Sequence, residues 1–134
     1  MTEVVRAGLV AWQNKSMVTC TWSALDGDDS GMAMDLSQFP DKTVQVFGTF
    51  DGGTMTLYGS NDPLVLVDRA AGTLFGSKTA SWVIAQDSLG NNIAKTAAGG
   101  DAQIENYQYY LPVVTGGGAT TSLKVIIAAS RGRI

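Results

Sequence analysis

The side chains that could do chemistry in this 134-residue chain are carboxylates, hydroxyls, amines and one thiol, and the sequence contains no histidine. Without an imidazole, neither a Ser-His-Asp nor a Cys-His pair can form, and a His-ligated metal site is excluded as well. Cys20 is the one cysteine, so an internal disulfide and a thiolate zinc site are also excluded. It alternates with Val18 and Trp22, which predicts a buried thiol that packs as a small hydrophobe. We therefore expect no enzyme, no catalytic residue, no cofactor and no metal.

Two turn segments resemble ligand loops without completing them. The segment from Asp26 to Gly31 has acidic or hydroxyl residues at positions one, three and five and glycine at six, as a calcium loop does. Its twelfth position is Ser37, where a calcium loop needs a bidentate glutamate. The triglycine Gly116-Gly117-Gly118 lacks the Lys-Ser/Thr ending of a phosphate loop and precedes a predicted strand. Both segments are interpreted as solvated turns.

The carboxylates and aromatic rings leave weaker alternatives open. Most of the twelve carboxylates are aspartates at predicted turns, and no pair among them stands out for glycoside hydrolysis. Exposed aromatic rings can stack on sugars or form a protein interface. Packing is the favoured interpretation for Trp22 and Trp82, whereas Trp12 lies outside the predicted strands. For Trp12, anchoring into a neighbouring subunit and packing within its own chain both stay open.

Composition and charge narrow the class of protein further. The net charge of −3 argues against a general nucleic-acid binder. Charged residues make up 16% of the chain, below the ~25% of a typical soluble domain. No apolar run approaches the ~18 residues that a membrane helix needs. The N-terminal segment does not resemble a signal peptide, so we expect synthesis in a cytoplasm without export.

Period-two alternation dominates the chain and predicts short β-strands. Asp51-Gly52-Gly53 is a turn of the hairpin type, which predicts that the strands on either side of it pair with each other. Gly48 and Gly59 lie inside these two strands and indicate a bulge or a close approach. The predicted strands are Met17 to Leu25, Met32 to Leu36, Thr43 to Phe50, Thr54 to Ser60, Ser81 to Asp87, Asn92 to Thr96, Tyr107 to Thr115 and Ser122 to Ser130.

The last two of these strands carry positional information. Pro112 suggests that its strand lies at an edge or carries a bulge. The run Val125 to Ile127 is apolar on both faces, so its strand should be central or packed against a partner. About eight short strands with frequent turns predict an all-β fold, a jelly-roll-like antiparallel β-sandwich. The expected organisation is an N-terminal arm (1–16), a sandwich domain (17–130) with a long surface loop (63–80), and a C-terminal tail (131–134).

Turn and strand residues across most of 19–131 form a distinctive pattern. Its segments are Thr43 to Val46, Gly48 to Phe50, Gly59 to Asp62, Trp82, Asp87, Gly90-Asn91, Thr96 to Gly99, Tyr109 to Pro112, Val114 to Gly117 and Thr121 to Leu123. This pattern, with a basic ending such as Arg131, resembles a family of small proteins from tailed bacteriophages, the capsid decoration or cement proteins. The chain departs from the family pattern by inserting more than a dozen residues between Asp62 and Ser81.

The resemblance implies a viral structural protein on the outer capsid surface of the virion, made in the host cytoplasm. Its expected partners are the major capsid protein and further copies of itself, as a dimer or trimer, with no nucleic acid and no membrane. The alternative is a carbohydrate-binding or adhesion module of a phage tail or fibre, suggested by the aromatic set. The residues expected to contact the capsid or a partner are Trp12, Leu64, Leu66, Arg69, Leu74, Phe75 and Lys78.

Overall fold

The computed structural model describes residues 4–14, 16–101 and 104–131. Residues 1–3 of the expected arm and 132–134 of the expected tail lie outside that range. The described residues form twelve strands, one α-helix and a 3₁₀ turn at Phe75–Ser77. These elements are β1 (Val5–Arg6), β2 (Gly8–Asn14), β3 (Met17–Leu25), β4 (Ser30–Gly31), β5 (Met34–Asp35), β6 (Asp41–Thr49), β7 (Thr54–Ser60), α1 (Leu64–Ala71), β8 (Val83–Ile84), β9 (Ala94–Lys95), β10 (Gly99–Asp101), β11 (Tyr109–Thr115) and β12 (Ser122–Ser130).

The strands form two sheets that pack face to face. Sheet I has seven strands in the order β1-β4-β11-β7-β8, with β5 also pairing with β11 and β9 with β7. Sheet II has five strands in the order β10-β6-β12-β3-β2. All the pairings are antiparallel except the short β1–β4 pair. The predicted all-β, jelly-roll-like sandwich is confirmed. The strand number exceeds the expected eight because β1, β2, β4 and β10 lie outside the predicted strands, whereas β5, β8 and β9 are two-residue parts of predicted strands.

The core lies between the sheets and follows from the alternation of the long strands. In β3, Val18, Cys20 and Trp22 point inward, and the indole Nε1 of Trp22 donates to the carbonyl of Met32 at 2.9 Å. Strand β12 is central in sheet II, between β6 and β3, as its apolar run predicted. The opposite wall comes from β7 and β11. The largest side chains buried in this core are Trp22, Tyr110, Leu25, Leu36, Met55, Leu57, Ile93, Leu123 and Ile127.

The turn Asp51-Gly52-Gly53 does not close a hairpin, which corrects the sequence prediction. Gly53 N–H does donate to the carbonyl of Phe50 at 2.7 Å, and Gly52 has a positive φ of 79°, so the turn itself is where it was expected. However, β6 belongs to sheet II and β7 to sheet I, and the two strands do not pair. The chain crosses between the sheets here, because apolar residues alternate in both strands and each strand turns its apolar face to the common core.

The N-terminal segment is not an extended arm, which is a second correction. Val5–Arg6 pairs with Ser30–Gly31, and Gly8–Asn14 pairs along its length with β3. The sequence Gly8 to Asn14 lacks a clean alternation because β2 is an edge strand that is partly exposed on both faces. Its pairing with β3 depends on backbone hydrogen bonds, and these cannot be predicted from the pattern of hydrophobic side chains.

Strand β11 is central in sheet I, contrary to the edge position suggested by Pro112. The proline is accommodated because its missing N–H falls on the side of β11 where the neighbouring strand is interrupted. On that side Val113 is opposite Ser30 of β4 and Tyr110 is opposite Met34 of β5, with Pro112 between the two short partners. The break in the partner strand therefore replaces the bulge that the sequence suggested.

The stretch 63–80, which the sequence predicted as a long surface loop, contains a helix followed by a 3₁₀ turn. Asp62 and Pro63 precede the helix, and the side chain of Asp62 accepts the N–H of Leu64 at 3.0 Å. Gly72 ends it in the left-handed conformation, with φ of 66°. Proline at the start and glycine just past the end are the residues that favour such boundaries.

Candidate binding surface

The base of the insertion is closed by hydrogen bonds between its two ends. The Ser60 hydroxyl donates to the carbonyl of Ser81, and Ser81 N–H donates to Asp62 Oδ2 at 3.0 Å. Ser60 is buried and belongs to β7, so the clamp joins the insertion directly to sheet I. The insertion is therefore fixed at its base.

A buried carboxylate ties the second half of the insertion to the helix. Asp68 is 4% exposed and accepts the N–H groups of Thr79 and Ala80, each at 3.1 Å, and the Thr79 hydroxyl at 2.9 Å. Desolvation raises the pKa of Asp68, but the hydrogen bonds from Ala80 and Thr79, with the charge of Lys78, outweigh it and hold the pKa below its usual range. The ionised carboxylate of Asp68 therefore holds Thr79 and Ala80 against the helix.

The inner side of the helix covers the outer face of sheet I. Val65 is fully buried there and forms a second, smaller core with the outward side chains of β11. Tyr58 and Phe75 pack against this cluster, with their ring centroids 4.8 Å apart. The residues of this second core are Ala33, Val65, Ala80, Tyr109, Leu111 and Val113.

The outer side of the insertion is apolar and exposed. We call Leu64, Leu66, Val67 and Leu74 the helix patch, and Val67 is 61% exposed. Four consecutive apolar residues, Leu64 to Val67, cannot all lie on one face of a helix. Val65 therefore points into the second core while its neighbours face solvent. Arg69, the basic residue of the last turn, reaches the carbonyl of Ala33 with its guanidinium at 3.4 Å.

The seven expected contact residues divide between two regions. Six lie on the insertion, and of these Leu64, Leu66 and Leu74 are exposed. Phe75 is partly buried against the second core, and Lys78 Nζ donates to the carbonyl of Thr73 at 2.7 Å. The seventh, Trp12, lies on β2 in sheet II.

Trp12 packs within its own chain and also faces solvent. Its ring centroid is 5.7 Å from that of Phe39, and the guanidinium of Arg131 lies 5.3 Å from its ring. The side chain nevertheless remains 55% exposed. Sequence reasoning left both roles open for this residue, and it missed the exposed neighbours Leu9 and Val10, because the segment was interpreted as an arm.

Buried polar groups close one end of the sandwich. Lys42 is 2% exposed, and its Nζ donates to the carbonyl of Phe39 and to Asn106 Oδ1, the latter at 2.7 Å. Its Nζ also lies 5.4 Å from the centroid of the Tyr110 ring. Burial lowers the pKa of Lys42, and the charge of Asp41 partly offsets this. Both acceptors, the Phe39 carbonyl and the Asn106 side-chain amide, are neutral. The ammonium group of Lys42 therefore holds these two segments together at this end of the sandwich.

Two clefts beside Lys42 are small, and the thiol of Cys20 is buried. Shallow clefts of about 180 and 160 Å³ are lined in part by Asp41 and Lys42, whereas drug-sized ligands occupy ~300–1,000 Å³. Burial raises the pKa of Cys20 to about 11, so its nucleophilic thiolate is disfavoured. No group of three or more metal-ligating side chains occurs in the described ranges.

The segment Asp26 to Gly31 is a turn in which the carboxylate of Asp29 is already engaged. Its Oδ2 accepts the Nε–H of Arg6 at 2.7 Å and the backbone N–H of Asp26 at 2.8 Å. Asp29 is buried, so the ion pair with Arg6 links the turn to β1. The carboxylate of Asp29 therefore supports the local backbone. The segment contains the expected turn but is not solvated, since none of its six residues is exposed and Ser30–Gly31 form β4.

Comparison with known proteins identifies no family. No protein-family model matches the chain, and no curated protein is significantly similar to it. Among solved structures, a cupin domain from Bordetella pertussis aligns at a TM-score of 0.46 and 12% identity, covering 97% of this chain and 96% of that one. A periplasmic inhibitor of g-type lysozyme, PliG from Aeromonas hydrophila, aligns at 0.39 and 13%, covering 96% and 98%.

A third solved structure, Fe(II) HppE, aligns at a TM-score of 0.38 and 9% identity. The alignment covers 91% of this chain and 49% of HppE, so this chain spans about half the length of that protein. Likeness at these TM-scores carries no functional assignment.

Within the described residues, no helix is both long and apolar enough to cross a membrane.

Proposed function

We propose that this protein is a non-enzymatic capsid decoration protein that attaches to a phage head through the helix patch. The single observation that carries the proposal is an uncharged apolar surface displayed on an insertion that is held rigidly by its own hydrogen bonds. Large exposed apolar surfaces mark interaction sites more often than scattered single residues do. The resemblance of the turn and strand pattern to phage cement proteins supplies the identity of the partner.

The construction of the insertion supports an attachment role. The Ser60–Ser81 clamp and the Asp68 hydrogen bonds fix the insertion before any partner binds. A surface ordered in advance loses less conformational entropy on binding than a flexible loop does. Each apolar side chain fully buried on the shell contributes about 1.5–3 kcal/mol. Repetition of a modest contact over a symmetric shell then produces strong retention through multivalency.

The test is binding to phage heads that lack the protein, measured by co-sedimentation. In the variant Leu64→Lys/Val67→Lys, two charges replace exposed apolar side chains that do not belong to either core. We expect the bound fraction at matched concentration to fall at least about tenfold, corresponding to ~1.4 kcal/mol per copy. The matched control is Leu89→Lys, because Leu89 is 84% exposed and lies in a turn outside the insertion.

Two results would contradict the proposal. The first is equal occupancy by the double variant and wild type, with circular dichroism showing that both are folded. The second is the absence of binding by wild-type protein together with specific retention on a glycan array, which would favour the carbohydrate-binding alternative. The control should bind heads as wild type does, because its single added charge lies outside the helix patch.

A further inference from the structure

The two sheets have six edge strands, and five of these are very short. Strands β1, β5, β8 and β9, at the edges of sheet I, have two residues each, and β10, at one end of sheet II, has three. Short edge strands are one of the ways in which proteins prevent pairing with other chains. The sixth edge strand, β2, has seven residues, Gly8–Asn14. Nothing in the described residues pairs with its outer edge.

Strand β2 also lacks the other protective features of an edge. Its sequence GLVAWQN contains no charged residue and no proline. Leu9 is 69% exposed, and Val10 and Trp12 are exposed as well. A register irregularity is present, but it lies near the end of the strand, between Trp12 and Asn14. A long, uncharged, apolar edge is the arrangement that invites another strand.

The strand is nevertheless held firmly in place on its inner side. It pairs with β3 from Gly8 opposite Trp22 to Asn14 opposite Met17. Gly8 lies so close to the core that a Cβ atom there would be 2.1 Å from the methyl carbon of Met34 and 2.9 Å from the indole nitrogen of Trp22. The edge is therefore a fixed template with its backbone groups already aligned.

We propose that β2 pairs with β2 of a second copy of this chain, in antiparallel orientation about a two-fold axis. The pairing joins the two copies of sheet II into one continuous sheet of ten strands. With the axis near Val10, Leu9 of one copy lies opposite Ala11 of the second copy, and all the facing side chains are uncharged. This proposal does not depend on attachment to a capsid.

A second copy fits this edge better than an unrelated strand does. The edge presents no charge that would be repelled by an identical edge, and like charges facing each other across strands are destabilising. Isologous pairing satisfies two exposed edges at once and closes the assembly, so no fibre can grow from it. The opposite edge of sheet II cannot extend the assembly efficiently, because β10 has three residues and begins with Gly99-Gly100.

The experiment compares the sedimentation of three proteins at micromolar concentration. Wild type should sediment as a dimer. Leu9→Lys places a cation on the edge and should raise the dissociation constant at least about tenfold. Leu89→Lys is the control, since it makes the same substitution at a comparably exposed leucine far along the chain, and it should remain dimeric.

Hydrogen exchange of unmodified protein gives a second reading that does not depend on a variant folding. Amides of Gly8–Asn14 that face outward should exchange slowly in the dimer and lose protection on dilution, while amides of β12 stay protected throughout. A wild-type monomer would overturn the proposal. So would a dimer that Leu9→Lys leaves intact, or a dimer whose β2 amides exchange at the same rate at all concentrations.

Discussion

The outer faces of the two sheets differ in how far they are covered by other parts of the chain. On sheet I the helix of the insertion covers β11, and the six residues from Tyr109 to Val114 are all buried. On sheet II the outer face of β12 is bare, and Ile126, Ala128 and Ser130 are partly exposed. The difference shows that the insertion acts as a structural layer of the domain and not as an added loop. It also leaves sheet II as the side where this chain has an exposed apolar edge.

The two central strands record this difference in their sequences. Strand β11 reads YYLPVVT, with apolar residues on both faces, as expected for a strand covered on both sides. Strand β12 reads SLKVIIAAS, where Leu123, Val125, Ile127 and Ala129 form the buried face. Its outward residues are smaller or polar apart from Ile126. A strand that is apolar on both faces over most of its length, as β11 is, therefore indicates that both faces are covered. A short run, such as the one around Ile126 in β12, does not.

The largest expected effect comes from removing that cover. Replacing 63–80 with a short Gly-Ser linker removes Val65 and exposes Tyr109, Leu111 and Val113 to water. Burial of a large apolar side chain contributes about 1.5–3 kcal/mol, so the free energy of unfolding should fall by on the order of 5 kcal/mol. Urea denaturation measures this. An unchanged midpoint would show that the insertion is a surface loop that the fold does not need for stability.

A matched pair of truncations sharpens the comparison between the sheets. Leu111→Ala, on the covered face, should lower the free energy of unfolding by about 3 kcal/mol because the resulting cavity is enclosed. Ile126→Ala, on the bare face, should cost about 1 kcal/mol or less. Both are measured by denaturant titration of protein with an intact insertion. Equal costs would mean that the bare face is covered in solution.

A smaller, pH-dependent effect should come from Asp68. Asp68→Asn disrupts hydrogen bonds from Thr79 and Ala80 and should cost about 1–3 kcal/mol at pH 7. The pKa of Asp68 is lowered in the folded protein, so its contribution is present above the unfolded pKa of about 3.9 and is lost as the pH falls through the folded value.

Denaturation of wild type and Asp68→Asn at neutral and acidic pH measures this contribution. The difference between the two proteins should shrink as the pH falls below about 4. A difference that is the same at both values would mean that the carboxylate is not ionised in the folded protein, and its role in fixing the insertion would then be structural packing alone.

The sequence was informative wherever alternation or glycine reported local geometry. Strand β12 was predicted with the observed bounds, and Gly59 was interpreted as a bulge or a close approach, of which the second is observed. A Cβ at Gly59 would lie 2.5 Å from the ring of Tyr107. At Gly48 the φ of 122° likewise requires glycine. The alternation of β12 depends on residues that are adjacent in sequence, and each glycine reports the space or backbone angle at its own position. Both kinds of information can be read from the sequence.

Strand partners and the insertion were predicted poorly, for physical reasons. A turn such as Asp51–Gly53 has the same residues whether its flanking strands pair or separate into two sheets, because both arrangements bury the same alternate side chains. The helix had readable boundaries in Asp62-Pro63 and Gly72. Its apolar run Leu64 to Val67 is continuous, however, and a short continuous apolar run does not distinguish a helix from a strand. The edge pairing of Gly8–Asn14 depends on backbone groups that all residues share.

The sheet-crossing turns have a consequence for how the chain folds. Asp51 accepts the N–H of Gly118 on its carbonyl at 3.0 Å and that of Thr120 on Oδ2 at 3.1 Å, so two turns far apart in sequence are bonded to each other. Both main sheets likewise join strands distant along the chain, such as β3 with β12 and β7 with β11. Contacts of this kind require large loops to close before any stabilisation is gained, which places folding in the slow range of about milliseconds to seconds. A nascent chain must therefore be nearly complete before its first stable sheet can form.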